Sequence, residues 1–104
     1  MSSISTHVLD ISSGKPAAGI RVHLFGDAGE ISSGVTNADG RCPALMPQDY
    51  SLSPGTYRLS FEIMDYFPNG FYPEVTVCFQ VRDAAHYHVP LLISPFGYTT
   101  YRGS

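Results

Sequence analysis

Tyr57-Arg58-Leu59-Ser60-Phe61-Glu62-Ile63 places an apolar residue at every second position and a polar one between each pair. A period of two is that of a β-strand, whose successive side chains point to opposite faces, one packed and one wet. Ser53-Pro-Gly-Thr56 precedes it with a turn. The alternation recurs on both sides. Ile20, Val22 and Leu24 alternate with Arg21 and His23 and stop at Gly26-Asp-Ala-Gly29, while Val75, Val77, Phe79 and Val81 alternate with Thr76, Cys78 and Gln80. Further strands are predicted at about 5–11, 31–36, 41–45, 86–94 and 97–102. No ten-residue stretch carries helical periodicity. Asp65-Tyr-Phe-Pro68 has room for a helical turn, which Pro68 and Asn69-Gly70 stop. The expectation is an all-β fold: a two-sheet antiparallel sandwich of about eight strands with at most one very short helix.

Bulk properties fit that architecture. A chain of 104 residues is predicted to form a single domain over 1–104. It is 43% hydrophobic and 14% charged, which is globular and not disordered. The net charge is -3, and Lys15, Arg21, Arg41, Arg58, Arg82 and Arg102 are scattered, so nucleic acid is not an expected partner. No apolar run approaches the ~20 residues of a membrane helix, so no membrane partner is expected. Met1 to Asp10 lacks a basic segment followed by an apolar one, and the last residues are not a peroxisomal address. A cytoplasmic location is expected. Cys42 and Cys78 are read as reduced thiols, too few and too isolated for a cysteine zinc site.

Two segments stand out from the alternation. In His86-Tyr-His-Val-Pro-Leu-Leu-Ile93, Tyr87, Val89, Leu91 and Ile93 form one apolar face, and Pro90 and Leu92 make the other apolar beside His86 and His88. A strand apolar on both sides is normally covered on both sides, which predicts a second subunit over its outer face. Pro90 lacks an N–H, which predicts an edge position or a bulge. The second segment is Ser94-Pro-Phe-Gly-Tyr-Thr-Thr-Tyr101 followed by Arg102-Gly103-Ser104. Aromatic and charged groups crowded there predict a tail docked in an interface or a site.

Four features can carry chemistry. His7 shares a strand face with Leu9 and Ile11; taken singly, it reads first as a hydrogen-bonded structural histidine. Thr36-Asn-Ala-Asp-Gly-Arg41 fits a type I turn from Asn37 to Gly40, aiming Arg41 along the next strand, where a solvated charge is the plain reading. His86 and His88 share one strand face at a spacing that can ligate a metal, but no third ligand is evident locally. The fourth is Tyr101-Arg102-Gly103-Ser104.

Together these elements are specific. Ser5-Thr-His-Val-Leu-Asp10, Asn37-Ala-Asp-Gly-Arg41, His86-Tyr-His-Val-Pro-Leu-Leu92, Ser94-Pro-Phe-Gly-Tyr98 and Tyr101-Arg-Gly-Ser104 stand in the order and spacing of the 5-hydroxyisourate hydrolases. These are the enzyme branch of the transthyretin-like family, and the resemblance runs from about Ile4 to Ser104. The final tetrapeptide is its most specific part, since it marks the enzymes and not the hormone-carrying transthyretins. The resemblance implies a transthyretin-like (prealbumin-like) sandwich and a homotetramer, built as a dimer of dimers with sites at the dimer–dimer interface. It implies His7, Arg41, His88 and Tyr101 to Ser104 as the site, and no metal or organic cofactor. Asp65 to Tyr72 departs from the pattern. It is shortened where family members carry a short helix, which is expected here to shrink to a turn or two.

The implied reaction is water attack on C6 of 5-hydroxyisourate with cleavage of the N1–C6 amide, a step of urate and purine degradation. His7 or His88 would be the base, the other orienting water or protonating nitrogen. Arg41 would grip substrate oxygens and the developing oxyanion. Ser104 would hydrogen-bond substrate or water, Gly103 permits close approach, and Arg102 either binds substrate or ties the tail down. Two rivals from other classes remain at this stage. One is a ligand-carrying module, as in the transthyretin branch, and the other a structural sandwich domain.

Overall fold

The computed structural model describes residues 3–104. Eight strands follow one another: β1 (Ser3–Asp10), β2 (Lys15–Pro16), β3 (Arg21–Gly26), β4 (Gly29–Val35), β5 (Gly55–Glu62), β6 (Glu74–Val81), β7 (His86–Ser94) and β8 (Gly97–Thr100). They form two four-stranded sheets, in the orders β2-β1-β7-β8 and β4-β3-β5-β6. The two-sheet, eight-strand sandwich read from the alternation is thus the architecture found. Within it β1 and β7 run parallel, the other pairs antiparallel. Periodicity reports which face a residue takes and is silent on strand direction.

The inner faces supply the core. Val22, Leu24, Leu59 and Phe61 of the second sheet are fully buried, as are Val8, Leu91 and Ile93 of the first. Truncating Phe61 or Leu59 to Ala would cost about 3–5 kcal/mol through lost burial and the cavity left behind. Polar residues on the inner face are satisfied: Thr6 Oγ1 donates to the Val89 carbonyl at 2.7 Å. Thr36 Oγ1 donates to Ala17 O at 2.7 Å and accepts from Ile20 N at 2.9 Å. Asp10 is buried, which disfavours its charge, but hydrogen bonds from Ser12, Tyr66 and the Ser12 and Ser13 amides outweigh this and hold it below its ordinary value.

Several expectations are corrected. Residues 41–45 are not a strand: Arg41 makes a single bridge and Pro43–Leu45 is a 3-10 turn, because Pro43 has no N–H for a ladder and Leu45 N bonds back to Cys42 O. It is the one helical element among the described residues. Residues 65–72 do form the successive turns expected of the shortened segment, with Phe67 N on Ile63 O and Gly70 N on Phe67 O. Strand β7 is neither an edge nor bulged; it lies between β1 and β8. Pro90 is accommodated by an interruption on the β8 side. Its carbonyl accepts the Thr100 hydroxyl at 2.8 Å, and named pairing stops at Leu91↔Thr100. Pairing resumes in the same register at His88↔Gly103. Strand β8 therefore ends at Thr100, two residues short of expectation, and the tail still follows β7.

Candidate active site

Parallel pairing of β1 with β7 brings the two histidine motifs together. Ser5 lies opposite His88 and His7 opposite Pro90. Inner residues of β1 are buried and Ser5 and His7 are half-buried on the outer side, which they share with His86, His88 and Pro90. His7 and His88 are thus diagonal neighbours on one outer sheet face.

Two backbone bridges add the remaining residues. The 37–41 turn closes with Gly40 N on Asn37 O at 2.9 Å, and Asn37 Oδ1 accepts from the amides of Asp39 and Arg41. The turn then docks on β1 through Val8 N to Gly40 O at 2.8 Å, pairing Arg41 with His7. Only glycine serves at position 40. Its φ is +78°, and a Cβ there would stand 2.4 Å from Val8 O. On the other side Gly103 N donates to His88 O at 2.8 Å. A Cβ on Gly103 would lie 2.5 Å from His88 Cδ2 and 3.2 Å from Pro90 Cγ. The tail backbone therefore lies directly over the imidazole, and Pro90 is buried in part by the chain's own tail.

Electrostatics favour a neutral His88. Burial lowers its pKa below the ordinary 6.5, and the charges of Arg41, His86 and His7 push the same way. Its Nδ1 is 2.7 Å from Ser5 Oγ, which leaves Nε2 to meet a substrate or water. His86 extends the array, 2.8 Å from Ser5 Oγ through Nε2 and 2.5 Å from Ser3 Oγ through Nδ1. A guanidinium, two neighbouring imidazoles and a close glycine backbone can bind a planar polar molecule, take a proton from water and stabilise an oxyanion.

Of the residues singled out from sequence, His7, Arg41, His88 and Gly103 are brought together, with Ser104 following Gly103. Arg102 goes elsewhere: its guanidinium carbon stacks 4.4 Å from the Tyr87 ring centre, and the Tyr87 hydroxyl donates to Asp83 at 2.5 Å. Tyr101 and Arg102 line a 340 Å³ cleft with Phe79 and Tyr87, away from the imidazoles. Sequence reading does not single out Ser5, and it takes His86 only as half of a metal-ligating pair. The signal was present: each stands two residues before a site histidine, hence on the same strand face. Cys42 is buried, Cys78 is exposed, and both are free thiols.

Fold and site together define a β-sandwich protein with His7, His88, Arg41 and Gly103 gathered on the outer face of one sheet. The family model described as HIUase/Transthyretin matches residues 4–103, and the chain belongs to that family. The 5-hydroxyisourate hydrolase of Deinococcus radiodurans is 45% identical over 113 residues, taking in 97% of this chain and 95% of that protein. The solved 5-hydroxyisourate hydrolase of Klebsiella pneumoniae superposes with a TM-score of 0.87 at 37% identity, covering 97% of this chain and 98% of that one. Sea bream transthyretin in complex with thyroxine superposes at 0.84 with 29% identity, covering 96% and 93%. No helix among the described residues is long and apolar enough to cross a membrane.

Proposed function

We propose that this chain is a 5-hydroxyisourate hydrolase, a single transthyretin-like domain that opens the six-membered ring by water attack at C6 and cleavage of N1–C6. The product is 2-oxo-4-hydroxy-4-carboxy-5-ureidoimidazoline, a step in urate degradation. The convergence of His7, His88, Arg41 and Gly103 on one outer face carries this reading, supported by family membership and by the hydrolases it resembles. His88 is the base: it is held neutral, and Ser5 occupies Nδ1, so Nε2 removes a proton from water and returns it to N1. Arg41 binds the substrate's oxygens and the oxyanion, worth about 3 kcal/mol in the transition state. His7 orients the water, and the Ser104 hydroxyl hydrogen-bonds the substrate edge. Tyr101 and Arg102 hold the tail in place; this reading favours Arg102 as an anchor on Tyr87 over a substrate contact. The chemistry asks only for water and these side chains.

In the same reading the protein is a cytoplasmic homotetramer, a dimer of dimers whose sites are closed where the outer faces of β1 and β7 meet a second dimer. Half-buried Leu92 beside the site on that face is consistent with such a cover. The direct test follows the ultraviolet absorbance of freshly generated 5-hydroxyisourate. Faster decay with protein present is expected, and unchanged decay refutes the activity. Sedimentation at micromolar concentration tests the assembly, and a monomer there refutes it.

A further inference from the structure

The hydrogen bonds behind His88 form an unbroken chain. His88 Nδ1 is 2.7 Å from Ser5 Oγ, that oxygen is 2.8 Å from His86 Nε2, and His86 Nδ1 is 2.5 Å from Ser3 Oγ. The register makes it: Ser3 pairs with His86 and Ser5 with His88, all on the outer face of adjacent parallel strands. The two imidazoles stack at 15° with centres 6.4 Å apart, just far enough for one hydroxyl to bridge them.

Counting protons limits what this chain can be. A serine hydroxyl carries one hydrogen and a neutral imidazole one ring N–H. Ser5 Oγ touches a nitrogen of each ring, so it donates to one and accepts from the other. Two arrangements satisfy every contact. In the first, His88 Nδ1–H donates to Ser5, Ser5 donates to His86 Nε2, and His86 Nδ1–H donates to Ser3, leaving a lone pair on His88 Nε2. In the second, every proton has moved one step along, and His88 Nε2 carries the hydrogen. Passage of one proton converts the first into the second.

We propose that Ser5 and His86 form a proton wire that lets His88 Nε2 take up the proton released by hydrolysis while Nδ1 passes one outward toward Ser3, so that no imidazolium forms while product is bound. The proposal rests on the hydrolase reading. That reaction releases a proton: the water oxygen bonds to C6, C6–N1 breaks, one water proton ends on N1, and the new carboxyl group ionises at neutral pH. His88 Nε2 takes the carboxyl proton while Nδ1–H passes to Ser5, the Ser5 proton to His86 Nε2, and the His86 Nδ1 proton out past Ser3. After product leaves, Nε2–H is given to water and a proton re-enters at Ser3 by the reverse shift, which restores the first arrangement and leaves one proton released per turnover. Within one chain His88 is half-buried and His86, at the start of β7, is exposed, so the wire runs outward along the strand. Burial and the Arg41 guanidinium also disfavour a proton that lingers on His88. Ser5 and His86 are positioning residues in this scheme, acting on the substrate only through His88.

The experiment compares wild type with Ser5→Ala, His86→Gln and Ser5→Thr in weak and in concentrated imidazole buffer. With the exit broken, Ser5→Ala and His86→Gln lower kcat about tenfold in weak buffer with KM little changed, because the acid–base step is slowed while binding is kept. Imidazole in solution, a mobile proton acceptor of similar pKa, restores both to within about twofold of wild type. Ser5→Thr keeps the hydroxyl, so its kcat in weak buffer stays well above that of Ser5→Ala. Unaltered kcat in Ser5→Ala and His86→Gln overturns the wire, and so does a loss that imidazole leaves untouched, which marks packing alone. A wild type that does not speed 5-hydroxyisourate decay is a different failure, that of the hydrolase reading itself.

Discussion

His23 and His88 occupy equivalent places and have opposite fates. Each points outward from an interior strand of a four-stranded sheet, β3 in one and β7 in the other. Around His23 the flanking strands carry carboxylates: Nδ1 is 2.9 Å from Glu30 on β4 and Nε2 is 2.5 Å from Glu62 on β5. Hydrogen bonds to Glu30 and then Glu62 raise its pKa, against a smaller effect of burial. Around His88 the flanking positions are Ser5 and Gly103, with Arg41, His86 and His7 nearby, and burial leads a set of effects that all lower its pKa. Fold position is thus neutral as to chemistry. The residues two or three atoms away on the next strand decide whether an imidazole is drawn toward its charged form or its neutral one.

The largest effect should come from breaking the active side of this pair. His88→Asn is expected to lower kcat by about two to four orders of magnitude, the range for losing a general base. Arg41→Met is expected to cost about two to three orders, as for an oxyanion donor. His23→Asn is expected to leave kcat unchanged, although it removes the same functional group. Steady-state kinetics with circular dichroism of each variant checks all three; a His23 variant as impaired as His88→Asn would erase the distinction.

Next is Gly103→Ala. A methyl group at 2.5 Å from His88 Cδ2 must push the ring or the tail aside. Displacing a catalytic group by about 1 Å can cost about a hundredfold, so kcat should fall by about ten- to a hundredfold with little change in thermal stability. Wild-type kcat in Gly103→Ala would show that the tail does not set the His88 ring.

The contrast also shows what sequence can report. Alternation at Tyr57 to Ile63 located strand β5, and its inner residues Leu59 and Phe61 are fully buried. It failed at 41–45, where the chain is tied by one bridge and then by Pro43, a contact made to β1 more than thirty residues away. It failed too at Pro90, because the rule that proline avoids interior strands overlooks a neighbour able to open its ladder at one residue. His7, Arg41 and His88 were legible as chemistry only through the ordered motifs around them. Nothing local to His86 or Ser5 announces a bridge; that needed the parallel register, which periodicity does not encode. His23 was read as one polar residue of an alternating strand, since its partners come from two other strands.

A smaller effect concerns pH. Neutral His88 is the working form, and its pKa is lowered from the ordinary 6.5. The acid limb of kcat/KM should therefore have its midpoint below 6.5, with activity held through neutral pH. Arg41→Met removes one of the charges that lower it, so the residual activity should show that limb moved to higher pH. A limb at or above 6.5 in wild type would mean that His88 is not the base whose protonation stops the reaction.

The smallest effect is on the other face, and its sign is the reverse. The folded-state pKa of His23 is raised, so its contribution to stability is fully present below the unfolded value of 6.5 and is lost as pH rises through the folded value. Both glutamates are more than a third exposed, so solvent screens the pairs and the gain is about 1 kcal/mol at most. His23→Gln should lower the urea midpoint slightly at about pH 6 and not at all at about pH 9. The same two measurements on His88→Gln should show no such acid-side loss, because a group with a lowered pKa contributes nothing by being protonated. If His88→Gln destabilised the protein more at pH 6 than at pH 9, its imidazole would be a structural cation like His23, and the two faces would differ in name alone.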